Sequence, residues 1–174
     1  MLTNIEIKAR VKDSARIKAL AEVLASSPGQ LIQQEDIFFG VPRGRLKLRI
    51  FSSVSAELIY YERADRLGPK ESRYSISRTT EPDALRAILQ MSLGIRGIVK
   101  KQRILYLVGQ TRIHLDEVEG LGSFVELEVV MQNNQSAAEG TQIARGLMAQ
   151  LEILDSDLVE ATYMDLLQQV ERAN

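Results

Sequence analysis

From Thr111 to Met131 the chain reads TRIHLDEVEGLGSFVELEVVM, two alternating runs separated by Gly120-Leu121-Gly122. This pattern predicts two strands joined by a glycine-containing turn. Side chains alternate across a strand, so Arg112, His114 and Asp116 share one side of the first strand. In the second, Glu126 and Glu128 share a side while Val125, Leu127 and Val129 take the other. Two carboxylates at i, i+2 repel by roughly 3–4 kcal/mol at an effective dielectric of about 20. Either both face water on a half-exposed sheet, or something cationic sits over them.

The same two-faced pattern recurs along the chain. Residues 3–11 set Ile5, Ile7, Ala9 and Val11 against Asn4, Glu6, Lys8 and Arg10. Residues 34–40 read as a strand running into the turn Gly40-Val41-Pro42-Arg43-Gly44, after which Arg45, Lys47 and Arg49 alternate with Leu46, Leu48 and Ile50. Such a row of cations is either a solvated face or a docking rail for an anion. Strands over 56–63 (Glu57, Ile59, Tyr61 and Arg63 on one side) and 72–79 follow. In a long strand over 97–107, Val99, Lys101, Arg103, Leu105 and Leu107 share a side. Between the strands, apolar spacing predicts a helix from Asp13 or Ser14 to Ser26, and another after Glu81-Pro82-Asp83 that buries Leu85, Ile88 and Leu89. A third spans Ser136 to about Leu151, and a last one spans 157–170 around Leu158, Leu166 and Val170.

About eight strands, many joined as hairpins, and about four helices point to an antiparallel sheet or barrel with helices outside. The apolar-striped helices need partners, and the apolar strand faces supply them. The charged faces then turn into a lumen holding Glu6, Glu126 and Glu128 beside Lys8, Lys47, Arg49, Arg63, Lys101 and Arg103. So many enclosed charges are tolerated only if they are paired, hydrated or matched by a ligand. A polyanion carried by a divalent metal satisfies both signs, with hard oxygen ligands on the metal and Lys/Arg on the phosphates.

Composition narrows the chemistry. The 174 residues suit one well-filled domain, and 22 Lys+Arg against 23 Asp+Glu, a net charge of −1, give no basic excess for nucleic-acid binding. With no Cys, disulfides, zinc–thiolate sites and thiol catalysis are excluded. One His in the chain, His114, rules out a His-based metal cage. No apolar run reaches membrane-spanning length and no signal-peptide pattern opens the chain, so a soluble cytoplasmic protein is expected.

Taken in order, several segments together resemble the CYTH superfamily of triphosphate tunnel metalloenzymes, and within it the class IV adenylyl cyclase-like branch. They are Asn4-Ile5-Glu6-Ile7-Lys8, Gly44-Arg45-Leu46-Lys47-Leu48-Arg49, Lys101-Gln102-Arg103, Ile113-His114-Leu115-Asp116, Gly120-Leu121-Gly122-Ser123-Phe124, Glu126-Leu127-Glu128 and Tyr163-Met164-Asp165-Leu166-Leu167. The resemblance implies an α+β fold, an eight-stranded antiparallel β-barrel with helices packed outside. It implies that Glu6, Glu126 and Glu128 hold Mg²⁺ or Mn²⁺, with Asp116 a further ligand or orienting group. Lys8, Lys47, Arg49, Lys101 and Arg103 would bind phosphates, and Lys8, Arg103 and Asp116 would serve catalysis. Two positions depart from the pattern. The opening signature Glu-x-Glu-x-Lys carries Asn4 in place of its first glutamate, and Tyr61 stands where a lysine is usual, with Arg63 on the same face as its stand-in.

The expected activity is conversion of ATP to cyclic AMP and pyrophosphate. The alternatives are a triphosphatase acting on tripolyphosphate, thiamine triphosphate or nucleotides, and a non-catalytic triphosphate binder. The partner implied is the triphosphate itself, without nucleic acid or membrane, and a homodimer is left open. His114 is read as a structural or tunnel-lining group, Tyr60, Tyr61 and Tyr106 as packing residues, Arg45 as a rim residue and Lys100 as outward-facing. Asp65, Arg66 and Lys70 are read as an exposed loop able to close over a ligand.

Overall fold

A computed structural model describes residues 1–173. Eight strands close into an antiparallel barrel: β1 (Leu2–Arg10), β2 (Gln30–Phe39), β3 (Arg45–Ser52), β4 (Ser55–Arg63), β5 (Lys70–Thr79), β6 (Ile95–Val108), β7 (Thr111–Val118) and β8 (Gly122–Val130). Around the barrel they follow the order β1-β5-β4-β3-β2-β6-β7-β8, and β8 pairs back onto β1. Closure removes every free sheet edge. The helices are α1 (Ser14–Leu24), α2 (Pro82–Leu93), α3 (Ala137–Gln150) and α4 (Tyr163–Ala173).

Local chemistry sets the punctuation. Asp13 caps α1 by accepting from the Arg16 amide at 2.9 Å, and Ser136 with Glu139 forms a reciprocal cap on α3. The β6–β7 turn is tight enough to put Gly109 at φ 55°, a left-handed conformation that glycine adopts without strain.

The apolar strand faces point outward and are covered by helices. Ile7, Ala9, Ile113, Val125 and Leu127 pack against Ile17 and Ala21 of α1 and Leu147 and Met148 of α3. Ile37, Phe39 and Leu48 receive Leu85 and Leu89 of α2. At Gly140, α3 approaches so closely that a Cβ would stand 2.6 Å from Ile5 Cγ1 and 2.5 Å from Met131 Sδ. The fourth helix differs from the others, because its first residues Tyr163, Met164 and Leu166 pack on Phe38, Val99, Val118 and Phe124. By alternation Phe38, Val99, Val118 and Phe124 share the lumen parity of Asp36, Lys101, Asp116 and Glu126, so α4 begins inside one end of the barrel.

Four expectations from the sequence need correction. The last helix starts at Tyr163, later than 157, because Val159 N–H donates to Lys8 C=O and holds the preceding segment extended along β1. Thr162 and Asp165 then cap the new start through two reciprocal bonds of 3.1–3.2 Å, and Leu158 lies outside the helix. Ile88 is 57% exposed, because Leu85 and Leu89 take the stripe that meets the barrel. β2 begins at Gln30 and β6 at Ile95, earlier than the sequence suggests, each strand extending the other's ladder as far as Gln30 opposite Leu105. Lys70 is not part of an exposed loop: it opens β5, is 1% exposed, and donates to Arg66 C=O at 3.0 Å and Glu160 C=O at 3.1 Å.

Leu127 is fully buried between the barrel wall and its covering helices. Leu127→Ala is expected to cost about 2–5 kcal/mol of unfolding free energy in urea titration; a loss under about 1 kcal/mol would contradict the packing described.

Candidate functional site

Inside the barrel lies a cavity of about 260 Å³, lined by residues from every strand and by Thr162 and Tyr163. Nine of the ten residues singled out in the sequence line it: Glu6, Lys8, Lys47, Arg49, Arg63, Lys101, Arg103, Glu126 and Glu128. Strand register explains the convergence. β1 and β8 pair Glu6 with Glu128 and Lys8 with Glu126, and β7 and β8 pair His114 with Glu126 and Arg112 with Glu128. The three glutamates form one acidic wall, and β3 and β6 supply the basic wall across from it.

The tenth residue, Asp116, sits off the cavity. Its carboxylate accepts two 2.6 Å bonds from Arg103 and one of 3.0 Å from the Tyr163 hydroxyl, and Lys101 Nζ lies 3.6 Å away. Arg103 reaches on to Glu126 at 2.7 Å. Asp116 therefore holds the guanidinium that faces the acidic wall.

Asp36 is the site residue the sequence reading passed over. Its carboxylate is 1% exposed and gathers the basic wall: Arg49 Nε and Nη2 at 2.7 and 2.8 Å, Lys47 Nζ at 2.9 Å and Lys101 Nζ at 3.8 Å. Its signal was present in the alternation Gln34, Asp36, Phe38, which puts a lone acid on the lumen side of the strand, with Glu35 on the opposite face. Arg45 stands at the β4 end as a rim residue, bonded to Asp65 at 2.6 Å, and Lys100 is exposed as expected.

The two ends of the cavity differ. At one end the segment 159–163 lies across the barrel: Lys8 Nζ donates to Ala161 C=O at 3.0 Å, and the Tyr163 ring stacks 4.1 Å from Lys8 Nζ and 5.0 Å from that of Lys101. Toward the other end, near the β3–β4 and β6–β7 turns, the lining gains apolar side chains, Ile32, Phe51, Ile76 and Leu105, beside the charged Glu57 and Arg112. Ile76 is 39% exposed, so this end meets water.

Burial and neighbours set the protonation states. Burial, reinforced by the charges of Glu128 and Glu126, pushes the Glu6 carboxyl up; Arg63, 3.5 Å away, only partly offsets this. For Glu126 burial is outweighed by His114, Lys8 and Arg103, which hold it well below the usual carboxylate range. Asp36 is likewise held well below that range because Arg49, Lys47 and Lys101 overcome its burial. Asp116 is drawn down to about 2 by Arg103 and Lys101 against its burial. Burial lowers Lys8 to about 7 and, with Arg49 adding repulsion, Lys47 to about 8. Burial, with Arg103 nearby, also depresses His114, which keeps the ring neutral.

A divalent cation fits the acidic wall. Ligand atoms of His114, Glu126 and Glu128 lie within 4.8 Å of one another. Among the described residues His114 Nδ1 is buried with no hydrogen-bond partner, 3.8 Å from Glu128 and 3.9 Å from Glu126. Glu6 faces Glu128 across the β1–β8 ladder on the same wall but lies outside this cluster.

The family and the fold are shared with known proteins. The family model described as CYTH domain matches residues 2–163. Adenylate cyclase CyaB of Aeromonas hydrophila is 27% identical over 104 residues, which is 59% of this chain and 54% of that protein, so the match spans about half the relative's length. Among solved structures, the PH1012 protein of Pyrococcus horikoshii superposes with a TM-score of 0.82 at 26% identity, covering 94% of this chain and 99% of that one. HpAC1 from Hippeastrum, which has a dominant triphosphatase activity, shares the fold with a TM-score of 0.64 at 16% identity, covering 96% of each chain.

Asp36→Asn should strand Lys47, Arg49 and Lys101 without their common counter-ion, at a cost of about 3–5 kcal/mol in chemical denaturation. Added tripolyphosphate is expected to raise the melting temperature of this variant more than that of the unaltered protein, since the ligand replaces the missing charge. Equal shifts in the two proteins would show that Asp36 does not hold the phosphate-facing cations.

Proposed function

The chain belongs to the CYTH domain family, and from that footing we propose that it is a divalent-metal-dependent enzyme that converts ATP to cyclic AMP and pyrophosphate. The observation that carries this reading is the polarity of the cavity: a charged middle able to hold a metal triphosphate, continued by a water-facing end where Ile32, Phe51, Ile76 and Leu105 offer apolar surface for a nucleoside beside Glu57 and Arg112. An inorganic polyphosphate would leave that apolar surface unused. The adenylate cyclase relative of Aeromonas hydrophila supports the same choice.

In this reading Glu6, Glu126 and Glu128 hold Mg²⁺ or Mn²⁺. The metal, when bound, supplies Lewis acidity to the phosphate oxygens and to the attacking hydroxyl. The chain's own groups do the positioning. Lys47 and Arg49, held together by Asp36, and Lys101 with Arg103, held by Asp116, present fixed cations to the phosphates at no reorganisation cost when charge moves. Asp116 is thus a positioning residue, and Lys8 and Arg103 are the groups placed to meet the substrate. Lys8, anchored to Ala161 C=O, stands beside Glu126 at 3.5 Å. Arg63 contributes from β4, in place of a cation at Tyr61. The ribose 3′-oxygen forms a bond to the α-phosphorus while its proton passes to solvent, the bond from the α-phosphorus to the oxygen bridging the β-phosphate breaks, and the cations take up the charge gathering on pyrophosphate. We place the reaction in the cytoplasm, where nucleoside triphosphates are held.

The direct test is purified protein with ATP and Mn²⁺ or Mg²⁺, products separated by chromatography. Cyclic AMP with pyrophosphate is expected; orthophosphate without cyclic nucleotide would overturn the cyclase reading in favour of a triphosphatase. Glu126→Gln is expected to lower kcat/KM by on the order of 100-fold or more, through loss of a charged metal ligand, with the melting curve checked alongside.

Ligand binding should also be linked to pH. Burial holds Lys8 near 7 and Lys47 near 8 in the free protein. A bound polyphosphate favours their charged forms and raises both values. Binding must then take up protons above about pH 7, and affinity should fall as pH rises through 7–9. Calorimetry of tripolyphosphate binding in two buffers of different ionisation enthalpy at pH 8 measures this uptake. No proton uptake on binding would mean that these lysines are already fully charged in the free protein and would contradict the lowered values.

A further inference from the structure

Asn4 and Arg112 belong to no step above, yet both line the cavity. Asn4 is 2% exposed and sits at the N-terminal end of the acidic wall. With its amide turned to suit its neighbours, its oxygen accepts from Arg112 Nη2 at 3.2 Å, while its nitrogen meets Tyr74 Oη at 3.3 Å and Thr3 C=O at 3.2 Å. The Arg112 guanidinium also places Nε 3.0 Å from Glu128 Oε2 and Nη2 3.3 Å from the Tyr74 hydroxyl. One face of Glu128 and the only oxygen that Asn4 offers are therefore occupied by a fixed positive charge.

Resting on the metal-dependent reading above, we propose that Arg112 is a built-in cation that takes the place of a second divalent ion, so that this tunnel holds one metal and not two. The argument is one of charge and donors. A Glu-x-Glu-x-Lys opening would put two carboxylates on β1, whereas Asn4-Ile5-Glu6-Ile7-Lys8 delivers one. A hard divalent cation needs anionic oxygen, and the Asn4 amide oxygen is neutral and already accepts from the guanidinium. A second ion near Asn4 would face Arg112 directly, like charge against like. What remains for a metal is Glu6, Glu126 and the Glu128 oxygen on the His114 side, 3.8 Å from the ring.

Binding of Mn²⁺ alone, followed by calorimetry and by electron paramagnetic resonance, tests the count without relying on turnover. The unaltered protein should bind one ion and show no spin coupling between manganese centres. Asn4→Glu alone should still bind one, because the new carboxylate pairs with Arg112. Asn4→Glu combined with Arg112→Gln should bind two, with a spin-coupled spectrum. Two ions in the unaltered protein, or one in a double variant whose melting curve shows it folded, overturns the proposal. If the double variant does not fold, the count in the unaltered protein decides. Absence of any bound Mn²⁺ would overturn the metal-dependent reading itself and this inference with it, and that result is distinct from a count of two.

Discussion

The structure depends on the mutual neutralisation of charges enclosed by the barrel. Each buried ion would be costly alone and is tolerated only in a paired, hydrogen-bonded setting. Two carboxylates do most of this. Asp36 ties Lys47, Arg49 and Lys101 into one group, and Asp116 fixes Arg103 against Glu126. Asp116 lies off the cavity behind Arg103, while Asp36 shares the cavity wall with the cations it gathers. The same pairs that make the lumen stable hold its charges in position before a ligand arrives.

The fold can spend its lumen on charge because it builds its apolar core elsewhere. Outward-facing Ile7, Ile113, Val125 and Leu127 bury against α1 and α3, and Ile37, Phe39 and Leu48 against α2. The barrel is covered outside by hydrophobic contacts and is polar within, the reverse of a small barrel filled by its own side chains. At the α4 end the lumen is plugged, because Tyr163 and Met164 fill the space between Phe38, Val99, Val118 and Phe124, whereas the apolar side chains at the other end leave it open to water. Tyr163 links that plug to the site, with its ring against Lys8 and Lys101 and its hydroxyl on Asp116. The two ends of the tunnel are thereby made unlike.

Much of this was legible in the residues. The period-two alternation fixed which side chains share a face, so Glu126 with Glu128, Lys47 with Arg49 and Lys101 with Arg103 could be grouped before any coordinates. The apolar stripes of the helices then argued which face turned inward. What escaped were features set by contacts distant in sequence. Asp36 reads as one of two adjacent acids, Glu35 and Asp36, until β3 and β6 flank it and supply three cations. Lys70 looks like part of a loop until the carbonyl of Glu160 meets it, 90 positions later in the chain. The late start of α4 follows from a hydrogen bond to β1 that no local propensity encodes.

The sequence by itself determined the alternation, the two faces of each strand and the inventory of charges, because these follow from backbone geometry and side-chain type at short range. Tertiary structure decided which acid answers which cation, which end of the tunnel is plugged, and that Arg112 settles between Asn4 and Glu128. Those outcomes depend on strand register and barrel closure, which bring together groups more than a hundred residues apart and are fixed only when the whole sheet has closed.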